Sequence, residues 1–158
     1  MSNTPNQYEE LNDFNQIAER LLDRYPEIFS DRKIDKIAAV SLLNKDRSEK
    51  KKQIWEIKPV VPPITLFCHK EYVVTFYASD WIAMSEEHKA LAVADVLLSI
   101  SNEGQGKTVP FDLKDHSVML RTFGVDYLSR PDIPNILDRN IEWKIIENSS
   151  GENVDDND

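Results

Sequence analysis

The sequence lacks the features that would point to secretion or to a membrane. Cys68 is the only cysteine among the 158 residues, so no disulfide can form within the chain. There is no run of about 18 apolar residues, the length that a membrane-spanning helix needs. The first ten residues are polar and acidic, without the basic and apolar regions of a secretory signal. We therefore expect a cytoplasmic protein that does not associate with a membrane.

Basic residues are also fewer than acidic residues. The chain has 19 Lys and Arg residues against 28 Asp and Glu residues, for a net charge of −9. Residues 147–158 hold five of the acids and no basic residue. A chain of this charge lacks the basic surface that binds nucleic acids, so we expect no direct nucleic-acid binding.

We predict one domain over residues 1–146, followed by a disordered acidic tail over residues 147–158.

The first predicted helix spans Asn6 to Tyr25. Its apolar side chains recur three and four residues apart, which traces one helical stripe. Asn6 and Glu9 resemble a capping box at its start, and Pro26 ends it because the residue before a proline avoids the helical region.

Two more helices are predicted in the second half of the chain. Ser85 is a good N-cap, and residues 89–100 are apolar nearly all round, which predicts a central, buried helix. A third helix is predicted from Lys114 to Phe123, with Gly124 as its C-cap.

Several β-branched and aromatic runs lie between the first two helices, and they predict strands. Lys36–Leu43 fits a strand or the end of a short helix, and Lys70–Glu71 fits a hairpin link or the middle of one continuous strand. The other strand-like runs are Gln53–Val61, Ile64–His69 and Tyr72–Ala78. The order of elements predicts an α+β domain with helices packed against one mixed or antiparallel sheet.

Residues 72–100, YVVTFYASDWIAMSEEHKALAVADVLLSI, resemble the putative phage metallopeptidase family. In that family a strand and a turn containing Trp lead into a helix that carries H-E-x-x-H. Residues 17–28 resemble the family's first helix, and residues 111–124 resemble its downstream helix. The likeness covers roughly residues 14–137. It implies a zincin-like single domain, in which the sheet packs against a buried central helix and flanking helices.

The resemblance places the metal-site positions, and this sequence departs from the family at those positions. Asp95 and Ser99 stand where the two histidines of H-E-x-x-H would be, and Val96 stands at the position of the catalytic acid. Phe111 replaces a third histidine, while Asp112 beside it is retained. Zinc needs about three ligands from His, Cys or carboxylate groups, and valine cannot accept a proton from an attacking water. We therefore predict a pseudoenzyme that binds no metal or other cofactor.

Two interpretations of the remaining polar residues stay open. Asp95 and Ser99 could be hydrogen-bonded groups in or beside the core, with Arg121 or a helix-start amide as the partner of the carboxylate. Alternatively, Asp95, Ser99 and Asp112 persist as the polar remnant of a cleft that now binds something else. Separately, the histidines lack metal-ligand spacing, which predicts surface or boundary positions for all three: His69, His88 and His116.

Three functions are compatible with this pattern. The first is a phage protein that binds and inhibits a host protein, for instance of the transcription or defence machinery, in the host cytoplasm. The second is an acidic mimic of nucleic acid that blocks a DNA-binding enzyme. The third is a residual metal-dependent hydrolase that holds Mg²⁺ or Mn²⁺ through Asp95, Asp112, Asp115 and His116.

Overall fold

The structure of the chain, a computed structural model, describes residues 4–29, 32–48, 50, 53–100, 108 and 116–145. The strands are β1 (Tyr8–Glu10), β2 (Ile37–Leu42), β3 (Trp55–Pro59) and β4 (Tyr72–Tyr77). The α-helices are α1 (Asn12–Arg24), α2 (Pro26–Phe29), α3 (Ala78–Ala83), α4 (Glu86–Leu98) and α5 (Ser117–Phe123). Short 3-10 helices span Ile34–Lys36, Ile64–Leu66 and Tyr127–Ser129.

The four strands form one mixed sheet in the order β1-β2-β4-β3. Strands β2 and β4 are parallel, with Ile37 opposite Tyr72, whereas β1 is antiparallel to β2 and β3 is antiparallel to β4. In β4 the buried side chains are Tyr72, Val74 and Phe76, and those between them are partly exposed. This alternation is typical of a strand covered on one face. The α+β class and the mixed sheet are thereby confirmed.

Helices cover the face of the sheet to which Phe76 points. The ring of Phe14 on α1 lies 6.2 Å from that of Phe76, and the ring of Trp81 on α3 lies 4.8 Å from it. Helix α4 contacts α1, and every residue from Ala90 to Leu97 is buried. The prediction of a buried central helix is confirmed. Its N-cap is confirmed too, since the Ser85 hydroxyl accepts the His88 N–H at 3.2 Å.

The predicted start of the first helix at Asn6 is wrong. Residues 8–10 form β1, and α1 begins at Asn12 after Leu11, which provides no side-chain cap. The backbone flanking β1 bonds to the chain at and just after β2: Leu43 N–H donates to the Gln7 carbonyl at 2.8 Å, and Leu11 N–H donates to the Ala39 carbonyl at 2.9 Å. Pairing with a distant strand therefore outcompetes the local capping box.

The predicted strand over Ile64–His69 and the hairpin at Lys70–Glu71 are also wrong. Residues 64–66 form a 3-10 helix within a long loop that joins β3 to β4. Val60 N–H donates to the Glu71 carbonyl at 2.9 Å and closes the base of this loop. Prolines at 62 and 63 have no N–H to give to a strand ladder, so the segment leaves the sheet.

Other predictions fall partly outside the described residues. The third helix is shorter than predicted, beginning at Ser117 after His116, and Gly124 is its C-cap at φ +89°. Phe111, Asp112, Asp115 and the acidic tail lie outside the described residues. The zincin-like arrangement and the boundary between domain and tail stay predictions. None of the helices in the described ranges is long and apolar enough to cross a membrane.

Candidate functional site

The C-terminal end of α4 holds two buried polar side chains in an otherwise apolar helix. Asp95 is 2% exposed and Ser99, the C-cap, is 4% exposed, while Val96 between them is fully buried. Residues four apart lie on the same face of a helix, so the two polar side chains point toward one region. These are the two residues that the resemblance aligns with the histidines of H-E-x-x-H.

The Asp95 carboxylate is hydrogen-bonded to Tyr127. The Tyr127 hydroxyl lies 2.7 Å from Oδ1 and 2.6 Å from Oδ2, so its one hydrogen is shared between the two carboxylate oxygens. Tyr127 is 2% exposed and belongs to the last 3-10 helix. The expectation that Asp95 is a hydrogen-bonded group in the core is thus borne out by the geometry. This tyrosine is a donor to the carboxylate that the sequence analysis did not consider, and the side chain of Arg121 is exposed.

Ser99 joins the end of α4 to the start of α5. Its hydroxyl donates to the Asp95 carbonyl one turn earlier at 3.0 Å, and it also lies 3.0 Å from Nε2 of His116. A serine hydroxyl has a single hydrogen. If that hydrogen goes to the Asp95 carbonyl, Nε2 of His116 must carry a hydrogen and donate it to Ser99.

His116 is a correction to the sequence analysis. It was expected at the surface or the boundary, but it is 6% exposed and lies beside Ser99. The signal was present in the spacing, because Met119 and Phe123 lie three and seven residues later and are buried on the same face of α5. Tyr127 was not identified from the sequence, since its partner lies 32 residues away in the chain.

The other two histidines agree with the prediction. His69 is exposed. His88 is half-buried at a boundary, with its ring between the Ser85 hydroxyl and the Arg130 carbonyl, each at 2.6 Å.

A groove of about 260 Å³ lies on the other face of the sheet. Its lining includes side chains of all four strands, among them Tyr8, Tyr77, Glu56 and Lys58. Asp95 does not line this groove, which is therefore separate from the buried pairs at the end of α4.

A loop beside this groove is attached to α3 by an ion pair. The Arg47 guanidinium contacts the Asp80 carboxylate with both ends, Nε to Oδ2 at 2.9 Å and Nη2 to Oδ1 at 3.2 Å. The hydrogen bond to Asp80 raises the pKa of Arg47, with a smaller opposing effect of burial. The guanidinium therefore remains charged at any physiological pH.

Comparison with known proteins identifies the family. A family model described as a putative phage metallopeptidase matches residues 6–140, which is most of the chain. The chain belongs to the putative phage metallopeptidase family. No curated protein and no solved structure matches it.

Membership of a metallopeptidase family implies a metal, and the residues at the end of α4 do not fit one. A catalytic zinc is held by three protein ligands from imidazole, thiolate or carboxylate groups. Among the described residues, no group of three or more His, Cys, Asp and Glu side chains is arranged to hold a metal ion. Asp95 and His116 are the only such groups in the two buried pairs, and Ser99 offers a neutral hydroxyl. The hydrogen-bonded pairs Asp95–Tyr127 and Ser99–His116 connect α4 to later parts of the chain. Val96 has no group that can donate or accept a proton.

Proposed function

We propose that this member of the phage metallopeptidase family has given up metal-dependent hydrolysis and acts by binding a host protein and inhibiting it. One observation carries the first half of the proposal. Asp95 and Ser99, at two former ligand positions, are buried and hydrogen-bonded to Tyr127 and His116. A metal at this point would have to displace those bonds and enter a site that is closed to water.

The retained scaffold supports the second half. Helix α4 is buried from Ala90 to Leu97, although by the resemblance it carries Asp95 and Val96, and Ser99 at its C-cap, in place of the residues that would make it catalytic. A fold that keeps its core without its chemistry can still present a surface to a partner, although fold alone does not name the partner.

The loop between β3 and β4 supplies a surface for such a partner. It exposes four large apolar side chains within seven residues, and the surfaces of monomeric proteins rarely present such a cluster without a function. The exposed fractions are 53% for Val61, 57% for Ile64, 78% for Leu66 and 86% for Phe67. We name this segment the apolar loop. Exposed aromatic and aliphatic side chains of this kind anchor protein interfaces.

The test is affinity capture from host lysate at low and high salt, with three forms of the tagged protein. The wild type should retain one host protein in near-stoichiometric amount at high salt. The double variant Leu66→Ser with Phe67→Ser should lose it. Ile82→Ser is the matched control, because Ile82 on α3 is also 78% exposed but lies outside the apolar loop. Equal capture by the wild type and the double variant would exclude the apolar loop as the contact surface.

The salt dependence also tests the nucleic-acid mimic. A mimic would retain several DNA-binding enzymes that wash off as salt rises, because charge pairs on a surface are screened. Salt-resistant capture of one protein contradicts that function.

A second candidate, a residual metal-dependent hydrolase, is favoured by one observation. His116 is buried beside α4, so an imidazole and the Asp95 carboxylate lie at the same end of one helix. A metal ion that binds the folded state must raise the melting temperature. Titration with Mn²⁺, Mg²⁺ and Zn²⁺ should leave the melting temperature of the wild type unchanged under our proposal. A rise that is lost in His116→Ala would instead favour the hydrolase.

A further inference from the structure

Strand β3 is an edge strand of the described sheet, and its backbone groups fall into two sets. Val60 N–H donates to the Glu71 carbonyl, which places residue 60 in a hydrogen-bonded pair with β4. Such pairs alternate along an antiparallel ladder, so residues 58 and 56 also point their backbone groups toward β4. The N–H and C=O of Ile57 therefore point away from β4, as does the C=O of Pro59, which has no N–H.

The side chains along this edge alternate in charge. Glu56 and Lys58 are both exposed and lie on the same face of the sheet, two residues apart. Neither forms an ion pair with another described residue. Ile57 between them is half-buried on the opposite face. The edge thus carries one negative charge, one positive charge and a hydrogen-bonding residue midway between them.

We propose that β3 pairs antiparallel with β3 of a second copy of this chain, about a two-fold axis at Ile57. In that register the two Ile57 residues exchange both of their backbone hydrogen bonds. Glu56 of each copy then lies directly opposite Lys58 of the other, in the closely spaced type of antiparallel pair. A two-fold interface needs a self-complementary surface, and the order Glu56-Ile57-Lys58 is one.

The same charges select this register over its neighbours. The backbone groups that face outward alternate, so the two nearest alternative registers bring Glu56 opposite Glu56 or Lys58 opposite Lys58. Like charges directly opposite each other destabilise a strand pair. Pro59 contributes a second restriction, because it can accept but not donate at the end of the ladder. Only the register centred on Ile57 sets Glu56 opposite Lys58 while the outward backbone groups pair.

The paired segment does not include the apolar loop. Residues 61–67 follow β3 and lie beyond its last residue, Pro59. A two-fold axis at Ile57 places the two apolar loops at opposite ends of the joined strands, outside the paired residues 55–59. The dimer does not depend on the proposed host partner. Variants of Glu56 or Lys58 test the dimer alone, and variants of Leu66 and Phe67 test the partner alone.

The experiment is the measurement of molar mass against concentration, by sedimentation equilibrium, for charge-reversed variants. The wild type should move from the monomer mass of 18.3 kDa toward twice that value as concentration rises. Lys58→Glu and Glu56→Lys each place like charges opposite one another, and each should weaken dimerisation by roughly tenfold or more. Lys33→Glu makes the same charge change at an exposed position outside the strand and should have no effect.

Two further measurements of dimerisation test whether Glu56 lies opposite Lys58. The double variant Glu56→Lys with Lys58→Glu restores opposite charges and should dimerise like the wild type. A mixture of the two single variants should form a heterodimer more tightly than either associates with itself. A wild type that stays monomeric over its whole soluble range overturns the proposal. So does a folded double variant that fails to recover dimerisation.

Discussion

Helix α4 differs from β3 and the apolar loop in how far its side chains are buried. Around α4, polar groups are few, buried and hydrogen-bonded in pairs, as Asp95 is to Tyr127. At Glu56 and Lys58 of β3 and in the apolar loop, charged and apolar side chains are exposed, and Phe67 is 86% exposed, whereas Trp55 at the start of β3 belongs to the core. The first region accounts for the stability of the fold, because burial and satisfied hydrogen bonds are where folding free energy comes from. The second contributes little to stability, which leaves it available for contacts with other molecules.

The largest expected difference is between two leucines. Leu91 on α4 is fully buried and Leu66 in the apolar loop is 78% exposed. Leu91→Ala should lower the free energy of unfolding by about 3–4 kcal/mol, since it removes apolar contacts and leaves a cavity. Leu66→Ala should change it by no more than about 0.5 kcal/mol. Urea unfolding followed by circular dichroism measures both, and a large loss for Leu66→Ala would show that the loop is packed within the monomer.

The next largest expected difference is in the stability lost when a buried or an exposed tyrosine is replaced by phenylalanine. Tyr127→Phe removes the hydroxyl that contacts both oxygens of Asp95 and should cost about 2 kcal/mol. Adding Asp95→Asn should recover part of that loss, because burying a neutral amide costs less than burying a carboxylate. Tyr8→Phe is the control, at a side chain that is 53% exposed, and should be close to neutral. If Tyr127→Phe and Tyr8→Phe unfold alike, the buried pair does not stabilise the fold.

The sequence was informative where a residue's structure depends on its near neighbours. The Ser85 N-cap, the buried pattern of α4 and the Gly124 C-cap all depend on residues within a turn or two, and all three were predicted. The alignment of Asp95 and Ser99 with the family's metal ligands also rests on the local segment around α4, and it stays a prediction. These features require no knowledge of which distant residues meet.

The failures share a dependence on distant contacts. The segment at Asn6 had a reasonable capping pattern but became β1, because β2, about 30 residues later, offers it a hydrogen-bonding partner. Residues 64–69 have strand-forming side chains but pair with none of the four described strands, and residues 64–66 form a 3-10 helix in a loop. Tyr127 could not be assigned to Asp95, because no pattern within a short window links residues 32 apart. Propensity yields to tertiary pairing in each case.

A smaller difference in the free energy of unfolding is expected between variants of two arginines that form ion pairs. The side chains of Arg47 and Asp80 are 28% and 20% exposed, and they meet at 2.9 Å. Those of Arg20 and Asp138 are 55% and 68% exposed, and they meet at 3.5 Å. Arg47→Gln should lower the free energy of unfolding by about 1 kcal/mol, as expected for a partly shielded bidentate pair. Arg20→Gln should cost only a few tenths of a kcal/mol, since water and salt screen the pair. Equal losses would mean that shielding does not distinguish the two pairs.

The smallest expected effect is a pH dependence of the free energy of unfolding, and it arises in the turn after the 3-10 helix Tyr127–Ser129. Arg130 donates from Nε to Oδ1 of Asp132 at 3.2 Å and from Nη2 to Oδ2 at 3.0 Å. These hydrogen bonds, together with one from the backbone, lower the pKa of Asp132 below its ordinary value of 3.8. A carboxylate with a lowered folded pKa contributes stability above its unfolded pKa and loses it as the pH falls through the folded value. The contribution is small because the pair is exposed to solvent.

Asp132→Asn isolates this contribution. The wild type should be slightly more stable than the variant near neutral pH, and the difference should be constant there because the carboxylate is fully ionised. The difference should shrink once the pH falls below the ordinary carboxyl pKa, because protonation removes the charge that Arg130 binds. Unfolding curves of both proteins over this range measure the difference. A difference that grows toward acid pH would contradict the lowered pKa, since only a carboxyl with a raised folded pKa stabilises the fold more as protons bind.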